Sequence, residues 1–144
     1  AVAIPVIAAG GIVDGKGIRA ALALGARAVQ VGTAFLCCHE ATTSPLHRAA
    51  LLGAHGRHTA LTNLFSGRPA RGIVNRLMRE LGPLSALPPD FPHASGALAP
   101  LRAAAEKVGD SGFSPLWAGQ NVSGCRSLAA AELISAWVAE ADLA

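Results

Sequence analysis

Two stretches decide the fold: Ile4-Pro5-Val6-Ile7-Ala8-Ala9-Gly10-Gly11-Ile12 and, a little further on, Ala28-Val29-Gln30-Val31-Gly32-Thr33. Each is a short apolar run closed by glycine. A run apolar on both faces predicts a buried parallel strand over residues 2–9, and residues 28–32 read as a second short strand. Between them Asp14 is placed to cap a helix. Residues 17–24 carry Ile18, Ala21 and Leu22 at helical spacing, and Gly25 supplies the stop. Strand, helix and strand in so short a span make a βαβ unit with parallel strands and a right-handed crossover.

The composition around this unit narrows the function classes. Of the 144 residues 51% are apolar and 15% charged, which excludes intrinsic disorder. No apolar run reaches the ~18 residues of a membrane span. A formal charge of +3 is too weak for a nucleic-acid face, and 4% aromatics with no Tyr leave no stacking platform. Cys37, Cys38 and Cys125 are an odd number without paired ligand spacing. Neither a disulfide framework nor a metal site is expected, and a reducing cytoplasm is the default compartment. The opening residues lack a basic n-region, so a signal peptide is not expected either.

Downstream, helices are expected over 34–41 and 46–55, the second starting at Ser44-Pro45. Residues 59–72 read as an ordered loop and 73–81 as a helix. The proline-rich segment 82–100 reads as an irregular crossing, followed by helices near 98–108 and 127–141.

The chemistry sits at the glycine corners. Gly10-Gly11 and Gly32-Thr33 close neighbouring strands at the same carboxyl edge. Glycine lets backbone amides approach an anion, the Thr33 hydroxyl adds a donor, and a following helix N-terminus would add its dipole. One such corner alone is only a sharp βα turn; the pair favours a phosphate cradle, the arrangement found after strands seven and eight of β/α barrels. Gln30 is the odd polar member of an apolar strand, suited either to cofactor oxygens or to a neighbouring loop. Arg68 and Arg71 could clamp an anion or tie their own loop to carbonyls. Gln120, after Trp117-Ala118-Gly119, could close over a cofactor or belong to a packed loop. His39, His47, His55, His58 and His93 lack metal-ligand or triad spacing and read as surface or capping residues. Cys37 and Cys38 read as small buried hydrophobes on different faces.

Residues 4–12, Ala23-Leu24-Gly25-Ala26 and Val29-Gln30-Val31-Gly32-Thr33-Ala34-Phe35 resemble the end of the nitronate monooxygenases, formerly 2-nitropropane dioxygenases. Ser66-Gly67-Arg68-Pro69-Ala70-Arg71-Gly72, Asn75-Arg76 and Leu116-Trp117-Ala118-Gly119-Gln120 resemble the same family's C-terminal region. The resemblance spans nearly the whole chain. It implies an FMN-dependent oxidoreductase that acts on a small-molecule nitronate with O2. It also implies FMN contacts at Gly10, Gly11, Gln30, Val31, Gly32, Thr33 and Gln120. The first corner is shared with other FMN barrels, and a flavin-type enoyl-acyl carrier protein reductase is the competing enzyme.

The fold class expected is therefore α/β: the last two strands of a (β/α)8 barrel in residues 1–44, then a mainly helical region, 45–144, packing on it. A closed barrel needs at least about 200 residues. The family's catalytic histidine lies on an earlier strand-end loop, and none of the five histidines takes its place. The chain is expected to be a truncated part, with no catalytic residue of its own. By itself it could be incompetent as an enzyme. Its unpaired strand edge would invite self-association or aggregation.

Overall fold

A computed structural model describes residues 2–142. In chain order the elements are β1 (Ile7–Ala9), α1 (Gly15–Ala23), β2 (Ala28–Gln30), α2 (Pro45–Leu52), β3 (Thr59–Thr62), β4 (Ala70–Ile73), α3 (Arg76–Leu81), α4 (Ala94–Lys107) and α5 (Ala130–Ala141). Short 3₁₀ turns lie at Thr33–Cys37 and Ala54–Arg57. The chain forms two units: Ala1–Thr43 with Asn121–Ala144, and Ser44–Gln120. The division drawn at residue 44 differs from this in one respect, because residues from 121 onward return to the first unit.

In the first unit β1 and β2 pair in parallel, with Ile7 opposite Ala28, Ala8 opposite Val29 and Ala9 opposite Gln30. The Arg27 amide donates to the Val6 carbonyl at 2.8 Å and extends the pairing backwards. α1 starts where the sequence places its cap: Asp14 is extended and its carboxylate accepts the Gly17 amide at 2.8 Å. Ile18 and Leu22, one turn apart, face Leu133 and Trp137 of α5 within a cluster that also holds Val13, Ala34 and Cys38. On α5 the buried positions Leu133, Trp137 and Ala141 recur every fourth residue, as an amphipathic helix requires. Phe35 meets Trp137 edge to face, ring centroids 5.2 Å apart. Removing a side chain such as Leu133 from this cluster should cost about 2–5 kcal/mol.

Two expectations for this unit are corrected. The first strand is three residues long, not eight, and it is not buried: Val2, Ile4, Val6 and Ile7 are 69%, 72%, 46% and 61% exposed. A two-stranded sheet covers only one edge of β1, so its apolar side chains lack the second neighbour that a parallel sheet would supply. The helix expected over 34–41 is only the 3₁₀ turn Thr33–Cys37, because Cys38 turns extended at φ −65°, ψ 151°.

In the second unit α2 begins at Pro45 with Ser44 as cap, its hydroxyl accepting the His47 amide at 3.3 Å. Residues 59–72 are not a loop. β3 and β4 form an antiparallel hairpin, with Thr59 opposite Ile73 and Thr62 opposite Ala70. Leu116–Ala118 runs along β4: Ile73 donates to the Leu116 carbonyl at 2.8 Å, and Ala118 to the Arg71 carbonyl at 3.2 Å. Asn75 caps α3 through Met78 while its amide donates to the Ser114 carbonyl at 2.9 Å. The proline-rich crossing is pinned by Asn63, whose side chain accepts the Ser85 amide and donates to the Ser85 carbonyl. α4 begins at Ala94, before the expected 98, and contains Pro100. Leu64, Phe65, Leu77 and Met78 form the core, with Trp117 edge to face on Phe65 at 5.7 Å.

Candidate functional site

The register of the first unit fixes the two glycine corners. Ala9 and Gln30 are the last paired residues, so Gly10-Gly11 and Val31-Gly32-Thr33 leave the sheet side by side, about 4.8 Å apart where the ladder ends. Gly10 and Gly11 have φ of +91° and +75°, the left-handed region where a side chain is strained. A Cβ at Gly10, Gly11 or Gly32 would meet no atom within 4 Å. The space over both corners is open, and a ligand could reach the backbone there. Thr33 is partly buried at the start of the 3₁₀ turn. Gln30 is exposed at the strand end, and Val31 is partly buried against the core. Backbone donors over open space suit a phosphate ester, which is the test that a flavin phosphate must pass.

One donor expected at this edge is already spent. The α1 N-terminus is not turned to an anion: the Gly15 amide donates to Glu140 Oε2 at 3.0 Å and the Gly17 amide to Asp14 Oδ1 at 2.8 Å. Two carboxylates occupy the positive end of the helix, so any anion is left to the corners themselves. Glu140 also takes Arg126 at 2.7 Å. The Arg126 bond, then the Gly15 amide, hold its carboxyl below the ordinary 4.5.

Arg71, Arg68 and His47 have structural partners. Arg71 Nη1 donates to the Thr59 carbonyl and hydroxyl at 3.3 and 3.2 Å, bracing the hairpin. The Arg68 guanidinium lies 4.7 Å over the Phe91 ring. His47 is partly buried with Nε2 3.0 Å from the Trp117 carbonyl; burial lowers its pKa, against that bond. Gln120 is exposed at the end of the second unit.

Cys125 is the residue that sequence reading missed. Its Sγ donates to the Thr33 carbonyl at 3.5 Å. Burial, with Cys37 and Cys38 beside it, pushes the thiol up to about 12. Cys37 and Cys38 are buried, as expected. The only sequence signal for the cluster is the Gly124-Cys125 pair itself, which has no spacing rule attached to it.

A parallel βαβ edge with two adjacent glycine corners places the chain among the α/β proteins. Residues 1–140 match the family model described as nitronate monooxygenase, and the chain belongs to that family. The nitronate monooxygenase of Pseudomonas aeruginosa is 47% identical over 138 residues, 95% of this chain and 39% of the relative. The probable nitronate monooxygenase of Bacillus subtilis is 44% identical over 122 residues, 85% of this chain and 35% of its own length. Among solved structures, nitroalkane oxidase from Streptomyces ansochromogenes superposes with a TM-score of 0.88 at 45% identity, covering 99% of this chain and 40% of that one. A mutant FabK from Thermotoga maritima gives 0.72 at 33% identity, covering 99% and 42%. The chain thus spans about two fifths of the length of the relatives it matches. No helix among the described residues is long and apolar enough to cross a membrane.

Proposed function

We propose that this chain supplies the phosphate-binding end of an FMN-dependent nitronate monooxygenase, which oxidises alkyl nitronates with O2. One observation carries the reading: the corners Gly10-Gly11 and Gly32-Thr33 emerge side by side from a parallel pair, over open space. Their backbone amides and the Thr33 hydroxyl hold the phosphate dianion. Gln30 and Val31 line the adjoining ribityl end. When bound, FMN supplies the electron chemistry between nitronate and dioxygen. The residues of this chain fix the phosphate, and through it the orientation of the ring system.

In this reading β1 and β2 are the last two strands of a (β/α)8 barrel, followed by the mainly helical region 45–144. No catalytic residue is assigned to these 144 positions; the base belongs to a segment that they do not match. The cytoplasm is the proposed compartment, in keeping with an odd number of cysteines that lack paired spacing. A flavin-type enoyl-acyl carrier protein reductase remains the second reading, since it would share both corners. The family match over 1–140 and the Ser66–Gly72 and Leu116–Gln120 motifs favour the monooxygenase.

The intact protein decides between them. It should carry the flavin absorption band, release FMN on denaturation and consume oxygen when given an alkyl nitronate. Gly11→Val should lose the flavin while keeping its circular dichroism. A colourless wild type would sink the proposal, and turnover of an enoyl thioester with NADH in place of the nitronate would shift it to the reductase. The same assay on the 144 residues alone shows whether they bind flavin or turn over without the rest.

A further inference from the structure

Residues 121–128 join the second unit to α5 and look featureless in the sequence, yet they touch the chain beside both corners. Val122 and Gly124 are buried, and the Cys125 amide closes a tight turn on the Val122 carbonyl at 3.0 Å. Gly124 lies directly against Val13, two residues beyond Gly11; a Cβ there would overlap the Val13 carbonyl oxygen. The neighbouring Cys125 Sγ donates to the carbonyl of Thr33, in the second corner. One turn therefore spans from the chain after the first corner to the second.

We propose that the turn Val122–Cys125 is the spacer that sets the separation and orientation of the two corners, with Gly124 and Cys125 as positioning residues for the FMN phosphate. This rests on the phosphate reading above. The physical link is the planar trans peptide between Thr33 and Ala34, whose C=O and N–H point in opposite directions. Holding the carbonyl from the side of the half-buried Cys125 thiol fixes this peptide plane and, with it, the backbone that carries Thr33 and the second corner. The thiol, pushed up to about 12, stays protonated and donates at every working pH. Gly124 permits the close approach to Val13; a side chain would wedge the first corner away from the second.

The test titrates the intact apoprotein with FMN and with riboflavin, which lacks the phosphate, by flavin fluorescence. Wild type is expected to bind FMN more tightly. In Cys125→Ala the preference for FMN is expected to fall about tenfold, the size of one lost hydrogen bond to a charged partner. Cys125→Ser keeps a donor in nearly the same space and should stay within about threefold of wild type. If Cys125→Ala does not fold, Cys125→Val fills the space without a donor and is read in the same way. An unchanged preference in the donor-less variant, or an equal loss for both flavins, would overturn the spacer role and leave the phosphate reading intact. A wild type indifferent to the phosphate would overturn both.

Discussion

Gly15 shows how one atom decides a helix contact. It is buried, and a Cβ would stand 2.5 Å from the Trp137 carbonyl oxygen and 2.6 Å from the Ala141 nitrogen, both backbone. Alanine is the better helix former by about 1 kcal/mol, but overpacking costs about 1–3 kcal/mol and should win. Gly15→Ala is therefore expected to lower the urea midpoint of unfolding. Glu140 predicts a pH dependence. Its folded pKa lies below 4.5, so the stability it contributes is present above that value and is lost as pH falls through the lowered one. Thermal melts at a series of acid pH values should fall less steeply in Glu140→Gln than in wild type. At this scale the sequence is legible where partners are close: Asp14 and Ser44 announce their caps within a few residues. The Gly15–Glu140 bond spans 125 positions, and no local pattern can reveal it.

Elements were read well where hydrophobic period and caps agree, as for α1 and α2, or where the period alone is strong, as for α5, and poorly elsewhere. The β3–β4 hairpin hides because its strands contain Thr, Arg and Gly rather than an alternating apolar set. What holds it is a braced guanidinium, Arg71 on Thr59, and a neighbouring backbone, Leu116–Ala118. The two motifs that carried much of the family resemblance, Ser66–Gly72 and Leu116–Gln120, thus meet along β4 as architecture. α2 is tied to the same feature through His47 and the Trp117 carbonyl. Burial keeps the His47 pKa below 6.5, so the unfolded chain takes up the proton first as the solution is acidified. Stability from this group is complete above 6.5 and declines as pH falls toward and through the folded value. The His47 ring resonances should titrate below 6.5 in an NMR series. His47→Gln should remove that part of the decline.

Across the whole molecule, the parallel βαβ unit and its corners could be read from sequence, while the exposure of β1 could not. An apolar run implies burial but does not say what provides it. Val2, Ile4, Val6 and Ile7 stand open, with Leu24 90% exposed on the neighbouring helix end. Contiguous apolar surface of this kind, beside an unpaired strand edge, promotes association. The 144 residues prepared alone are expected to bind the dye ANS and to scatter light increasingly with concentration. A monodisperse, dye-silent preparation would contradict the exposure of β1.

The return of residues 121–142 to the first unit bears on biosynthesis. A ribosome delivers β1, α1 and β2 well before α5, yet α1 lacks its Glu140 cap and its packing partner until α5 has emerged. A nonsense codon shortly before Asn121 would leave residues 1–43 unfinished, although every codon encoding them had been translated correctly.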